Sequence, residues 1–289
     1  MKIKHIVSVS SGAPSALLAI KVIEKYGKDN VLCVFADTLV EHPDNYRFLY
    51  DLRKSGIDIL FTMFGKTPEQ LQLEQRTIFT NFLAPCTRIL KLEPIRKLVQ
   101  TLQSLGYECH MHIGYTVEDK RRIAKTKNAW IRNGVIPHFI LFDESYVRHT
   151  VYAELTELGF DLPETYKKRF PNANCIAGGG CVRGGKAYMQ RMLIHYPEYY
   201  DKAEKMELTV RYAQYKAQRA KGVRVADIKL YARLKDTKSP SGHITLKAFR
   251  ELYEQSLVSQ PMFNLFTLDN DMDGLCGVEC GVSEPEKWD

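Results

Sequence analysis

Ile6-Val7-Ser8-Val9-Ser10-Ser11-Gly12-Ala13-Pro14-Ser15 is the stretch that decides how this chain is read. A short apolar run gives way to small, hydroxyl-rich residues. A largely apolar segment follows, with Leu17, Leu18, Ile20, Val22 and Ile23 ahead of a turn at Tyr26-Gly27. A strand, a small-residue loop and a helix in that order leave unpaired backbone N–H groups at the helix start. The helix dipole adds positive character there, so the corner suits a phosphate or another anion. Ser10, Ser11 and Ser15 supply hydroxyl donors, Ser8 stands just ahead of them, and Gly12 lets an anion approach the backbone closely. An ordinary strand–turn–helix corner, with Pro14 in the first helical turn, accounts for the same ten residues.

Outward from this corner, strand and helix alternate. Val31 to Ala36 is a continuous apolar run, as expected of a strand covered on both faces, and it ends at Asp37-Thr38. Pro43 and Asp44 open a helix carrying Tyr46, Phe48, Leu49 and Leu52. Ile57 to Phe64 reads as a third strand, and residues 67–83 as helical. Pro94 opens a helix with a stripe of Ile95, Leu98, Val99, Leu102 and Leu105, stopped by Gly106. Cys109 to Gly114 and Ile136 to Phe142 complete five strands. The pattern predicts an α/β fold, a doubly wound, mostly parallel five-stranded sheet with helices on both faces. In such sheets ligands sit beyond the carboxyl ends of the strands, where Ser10–Gly12, Asp37-Thr38 and Gly114 would lie.

Past residue 160 the texture changes, which divides the chain into an α/β domain over 1–160 and a cysteine-bearing, mainly helical region over 161–289. Phe170 to Cys181 is turn-rich and predicts irregular backbone. Helices are expected over Lys186 to His195 and Tyr199 to Lys221, the second a solvated surface helix by its mixed charges. A short helix with Leu246, Phe249 and Leu252 follows the turn at Lys238 to Gly242.

With 289 residues, 45% of them hydrophobic, and a mean hydropathy of -0.29, the composition is that of a soluble globular protein. No run approaches the roughly 20 apolar residues of a membrane span. The amino terminus enters a strand without a signal-peptide block, and seven cysteines is an odd number. Both features predict reduced thiols in a cytoplasm rather than a disulfide framework. The net charge of +7 suits an anionic substrate or nucleic acid, and equally a solvated surface.

The cysteines fall into two kinds. Cys33 and Cys109 lie in apolar strands and read as core residues. Cys86, Cys175, Cys181, Cys276 and Cys280 lie in loops or at element ends, and two thiolate pairs among them could close around zinc or an iron–sulfur cluster. Five unrelated thiols is the alternative. Asp269, Asp271, Asp273 and Gly274 open like an EF-hand loop, but its twelfth position is Cys280 rather than Glu. His110 and His112 share a strand face and read as ordinary strand residues.

Five blocks in order, from residue 6 to about 190, resemble the phosphoadenylyl-sulfate (PAPS) reductase family of the PP-loop (adenine nucleotide alpha-hydrolase-like) superfamily. The nearest likeness is to its phage- and prophage-type members. Ser10–Ser15 stands where the superfamily has SGGxDS. Phe35 to Thr38, with Glu41-His42-Pro43-Asp44-Asn45-Tyr46, is similar to its second-strand signature. Pro85 to Lys91 resembles its Cys-x-Arg-x-Leu-Lys segment, and His112 to Tyr115 with Glu118 to Arg122 its strand-ending glycine block. Asn174-Cys175 to Cys181-Val182-Arg183-Gly184-Gly185 resembles its Asn-Cys…Cys-Val-Lys-Gly-Gly segment.

The resemblance makes 1–160 a PP-loop domain. It implies binding of an adenine nucleotide, PAPS or ATP, by Ser8, Ser10, Ser11, Gly12, Ser15, Asp37, Thr38, Arg88, Lys91, Gly114, Arg121 and Arg122. Glu279-Cys280-Gly281-Val282-Ser283 resembles the tail that carries the family's nucleophilic cysteine, which makes Cys280 the catalytic candidate. In that chemistry a thiolate attacks the sulfonate sulfur, the nucleotide leaves, and a thioredoxin-like thiol donor releases sulfite. Ala13 and Pro14 depart from the phosphate-loop pattern, Pro14 removes one N–H donor, and Ser283 replaces the family's histidine. Three readings follow: a sulfonate-cleaving reductase, an ATP-dependent PP-loop enzyme acting in sulfur transfer to nucleic acid, and a nucleotide-binding protein without catalysis. A homo-oligomer is compatible with each, and a membrane partner with none.

Overall fold

The computed structural model describes residues 2–259. In chain order the elements are β1 (Lys2–Val9), α1 (Ala13–Tyr26), β2 (Val31–Asp37), α2 (Pro43–Lys54), β3 (Ile59–Met63), α3 (Pro68–Gln75), α4 (Glu93–Ser104) and β4 (Tyr107–His112). Next come α5 (Lys120–Ile131), β5 (Ile136–His138), α6 (Ile140–Asp143), α7 (Arg148–Glu157), α8 (Glu164–Lys167), α9 (Lys186–His195) and α10 (Pro197–Ala220). Two short strands, β6 (Leu234–Lys235) and β7 (His243–Ile244), precede α11 (Leu246–Ser259). The chain divides into two compact units. One holds residues 2–65 and Thr87–Asn174, the other Lys66–Cys86 and the described residues from Cys175 onward. Among the described residues no helix is long and apolar enough to cross a membrane.

In the first unit the strands lie in the order β3-β2-β1-β4-β5, every pairing parallel. Successive side chains of a strand point to opposite faces, and both faces here are apolar. Val7 and Val9 of β1 and Cys33 and Phe35 of β2 join Leu17 and Leu18 of α1, Phe48 and Leu52 of α2, Leu141 of α6 and Val151 of α7 in one core. Ile6, Val34, Ala36 and Met111 join Ile95 and Val99 of α4 and Trp130 of α5 in the other. This is the doubly wound α/β arrangement expected from the continuous apolar runs, here entirely parallel.

Three elements differ from expectation. The run from Ile136 to Phe142 is a strand only to His138. Ile140 and Leu141 instead bury themselves from the single helical turn of α6, because a short apolar run fits either element equally well. The helix expected over 67–83 stops at Gln75, where Arg76 turns into the left-handed region (φ 49°). The helix after Tyr196 is no fully solvated one: α10 buries Tyr200, Ala203, Glu207 and Val210, a stripe spaced as one helical face requires.

The second unit holds α3, α9, α10, α11 and the antiparallel pair β6–β7. Its irregular segment, Cys175 to Gly185, is fixed by a buried arginine. Arg233 donates to the carbonyls of Gly179, Gly180 and Cys181 at 3.0, 3.0 and 2.8 Å. Glu207 in turn accepts the backbone N–H groups of Arg233 and Leu246, each at 2.7 Å. Burial holds the Glu207 carboxyl above its ordinary range, against the pull of those two donors.

Candidate functional site

In the order β3-β2-β1-β4-β5 the winding reverses between β1 and β4. At such a switch point the two loops leaving the strands part, and a crevice opens at their carboxyl ends. Ser10–Gly12 leaves β1 there and Ile113–Thr116 leaves β4. The two are in close contact: a Cβ placed on Gly114 would lie 3.0 Å from Ser15 Cα and N and 3.1 Å from the Pro14 carbonyl carbon. Gly114 is therefore what lets the β4 exit lie on the first turn of α1.

The loop after β1 is internally bonded. Ser10 N–H donates to Ser15 Oγ at 2.9 Å and Gly12 N–H to Ser10 Oγ at 3.1 Å. The Ser10 and Ser15 hydroxyls lie 3.0 Å apart, and Ser15 Oγ also donates toward the carbonyl of Gly12 at 2.9 Å. Ala13 N–H donates to the phenolic oxygen of Tyr166 at 3.2 Å. Ser8 and Ser11 are buried, and among the described residues neither hydroxyl has a hydrogen-bond partner. Buried polar groups are almost always paired, so one orphaned hydroxyl at the end of β1 and another in the loop after it set this corner apart from an ordinary one.

At the end of β2, Asp37 accepts the Leu39 N–H at 2.7 Å and the Tyr46 hydroxyl at 2.8 Å. Burial, then that bond to Asp37, pushes the Tyr46 phenol above its ordinary range. Leu39 sits at φ 65° with its side chain exposed, a conformation that costs a non-glycine residue about 1–2 kcal/mol. Thr38 Oγ1 donates to Glu41 at 3.0 Å, and Asn45 Nδ2 to Glu41 at 3.3 Å and to the Ala173 carbonyl at 2.6 Å.

Lys91 belongs to this buried network. It is 4% exposed, donates to Asn174 Oδ1 at 3.1 Å, and lies 3.9 Å from Glu41. It comes from a π-helical turn, Thr87–Leu92, that runs into α4, a geometry frequent at functional sites. Lys91→Met removes the cation facing Glu41 and is expected to destabilise the protein by about 3 kcal/mol. Urea melts read the loss, and adding Glu41→Gln should recover part of it. A Lys91→Met protein as stable as wild type would mean the pair carries no weight.

The other three cations expected at the site are arranged differently. Arg88, exposed on the same turn, pairs with Glu93 at 2.8 Å. Arg122 turns back onto Asp119 at 2.7 Å and covers the Tyr115 ring at 4.5 Å. Arg121 is on the exposed face of α5. The structure thus brings together Ser8, Ser10, Ser11, Gly12, Ser15 and Gly114 around one corner. Thr38 and Lys91 share the buried network around Glu41 beside β2, and Asp37 holds Leu39 and Tyr46 at the strand end next to it.

Cys33 and Cys109 are buried, and burial pushes the Cys33 thiol up to about 12. Cys181 is buried, and Cys86 and Cys175 are half-buried. Among the described residues no three Cys, His, Asp or Glu side chains come together as metal ligands. Cys276 and Cys280, with the rest of the tail segment, lie outside the described residues.

Sequence reasoning missed Tyr166. It stands 153 residues from its partner Ala13, and no local pattern marks it. Asn174 carried a signal, its place in the Asn-Cys block, but not the information that it faces Lys91.

No family model matches the sequence, and no curated protein matches it. A crystal structure of phosphoadenylyl-sulfate (PAPS) reductase from Candida auris, in a phosphate complex, superposes with a TM-score of 0.42 at 15% identity. The match covers 58% of this chain and 80% of that one. The chain is an α/β protein with a doubly wound parallel sheet.

Proposed function

We propose that this chain binds an adenine nucleotide at the carboxyl end of its parallel sheet and cleaves a sulfonate from it, in the manner of a PAPS reductase. The observation that carries the reading is the contact of Gly114 with Pro14-Ser15, which joins two motif segments at the switch point of the sheet. The orphaned hydroxyls of Ser8 and Ser11 support it, because a bound anion's oxygens would satisfy them. Ser10, Ser11, Gly12 and Ser15 would hold the phosphates. Asp37 and Thr38, at the end of the neighbouring strand, would border the nucleoside, with Arg88, Arg121 and Arg122 as the accessory cations.

In the reaction the Cys280 thiolate attacks the sulfonate sulfur, the S–O bond to the nucleotide breaks, and adenosine bisphosphate leaves with the bonding electrons. A dithiol of thioredoxin type then attacks the cysteine sulfur, is oxidised to its disulfide, and releases sulfite.

Calorimetry with ATP, AMP, PAPS and adenosine bisphosphate tests the first half, and sulfite release from PAPS with thioredoxin tests the second. Binding with sulfite production, lost in Cys280→Ser while affinity is kept, is the expected result. Binding without sulfite would leave a nucleotide-binding protein or an ATP-dependent enzyme. No binding by any of the four, in folded protein, removes the nucleotide site.

A further inference from the structure

The first turn of α1 offers an anion few backbone donors. Pro14 has none, and Ala16 N–H already reaches the Gly12 carbonyl at 3.3 Å. What remains is the pair of amides at Ala13 and Ser15. Tyr166 holds the first of them, at 3.2 Å. The helix has no side-chain cap of its own, so this hydroxyl from far along the chain acts as its cap.

Two features show that the hydroxyl is placed rather than passing by. Gly12 has an unexceptional φ of -93°, so nothing in its backbone conformation demands glycine. A Cβ there would lie 3.0 Å from the Tyr166 hydroxyl and 3.0 Å from Ser10 Oγ; the absent side chain makes room for the phenol. The segment carrying Tyr166 is also clamped. Asp44 accepts the Glu164 N–H at 2.7 Å, and Arg47, paired with Asp44, donates to the Asp161 carbonyl at 3.0 Å. Burial opposes the Asp44 charge, but the Arg47 and Glu164 bonds prevail and hold its carboxyl below the usual range.

We propose that Tyr166 is a built-in competitor for the anion position of this loop, so that a phosphate group binds only by displacing its hydroxyl from Ala13 N–H. The proposal rests on the nucleotide reading and adds a specificity device to that site. A charged phosphate oxygen makes the stronger bond to an amide, whereas a neutral hydroxyl or a weakly basic anion does not displace its like. The ring has somewhere to go. Tyr166 lines an open cavity of about 560 Å³ with Tyr152, Phe160 and Leu162, and its ring centroid is 5.1 Å from that of Tyr152.

Tyr166→Phe keeps the ring and deletes the competitor. Calorimetry with ATP and with inorganic phosphate should show roughly three- to tenfold tighter binding than wild type, the worth of one neutral hydrogen bond. Amide exchange at Ala13 in the ligand-free variant should be faster, a readout independent of any nucleotide. If wild type binds ATP and Tyr166→Phe binds it equally or more weakly, the competitor role is overturned while the nucleotide site stands. Unchanged exchange at Ala13 overturns it as well. If neither protein binds ATP or phosphate, both readings fall together.

Discussion

Lowering the pH from 7 to 5 is expected to remove about 3–4 kcal/mol of folding stability, and the cause is a cluster of four histidines. The parallel register sets His5 of β1 beside His110 of β4, and His112 beside His138 of β5. His5 Nδ1 lies 3.0 Å from His112 Nε2, and His110 Nδ1 lies 2.9 Å from His138 Nε2. His138 stacks on both His110 and His112, and His5 stacks on Tyr26 of α1. Glu108 accepts from His110 Nε2 at 2.8 Å. A neutral imidazole at His110 then accepts at Nδ1, with His138 donating. Each nitrogen–nitrogen bond needs one N–H and one lone pair, so a second added proton on either pair breaks it.

Protonation is opposed at His5, His112 and His138. Burial first, then the other histidines and Lys25, lowers His5 to about 4 and His112 to about 2. His138 is lowered by burial, His110 and Lys25, against the pull of Asp143. Lys4 adds to the effect on His5. His112 is fully buried and its Nδ1 has no partner among the described residues, so a proton there would be a charge without a hydrogen bond. An unfolded histidine titrates near 6.5. Below that value the unfolded chain takes up protons that the folded one refuses. Nothing is lost at pH 7, and the penalty grows at ~1.4 kcal/mol per pH unit for each such proton as the pH falls towards 4.

Ordinary carboxylates stay ionised down to about pH 5, which keeps the window clean. Glu207, with its raised carboxyl, works in the opposite sense in the other unit. Urea melts followed by the fluorescence of Trp130, a core residue of the same unit as the histidines, give the slope. His112→Phe should be weaker at pH 7 but lose about one proton from that slope. Equal wild-type stability at pH 7 and 5 would sink the idea, as would a full slope in His112→Phe.

The cluster shows where sequence reading stops. His110 and His112 were visible on one strand face, but their partners come from strands elsewhere in the chain, and only the sheet register unites them. The sheet itself was legible because β1 and β2 are buried on both faces and therefore read as unbroken apolar runs. The site was legible as strand ends, Ser10–Gly12, Asp37-Thr38 and Gly114, since the rule about carboxyl ends needs only the strand direction. Lys91 was recognised as a charge, but a sequence shows a cation without showing what it faces, and here that is Glu41 and Asn174. The stripe of α10 was hidden because one of its buried members is a glutamate and another an alanine. A carboxylate that caps two backbone amides looks, in the sequence, like any solvated charge.

Gly114→Val is expected to cost at least about 3 kcal/mol and to abolish nucleotide binding in the same protein. The position does not need glycine for its backbone angles, since its φ is not positive. It needs glycine for space. The atoms a Cβ would strike, Ser15 Cα and N at 3.0 Å and the Pro14 carbonyl carbon at 3.1 Å, are helix backbone and cannot rotate away. Either the first turn of α1 lifts from the end of β4 or the strand bends, and both disturb the bonds of Ser10 N–H to Ser15 and of Ala13 N–H to Tyr166. Gly114→Ala should show the same effect at smaller size, about 1–3 kcal/mol. Gly12→Ala is the contrast, because its clashes are with the ends of two side chains, Ser10 Oγ and Tyr166 Oη. Those can turn aside, so stability should change by about 1 kcal/mol or less while phosphate affinity shifts. Thermal melts and calorimetry on the three variants decide the matter. A Gly114→Val protein within about 1 kcal/mol of wild type would mean that the loops after β1 and β4 are not packed against each other, and the corner would lose its claim to be a single site.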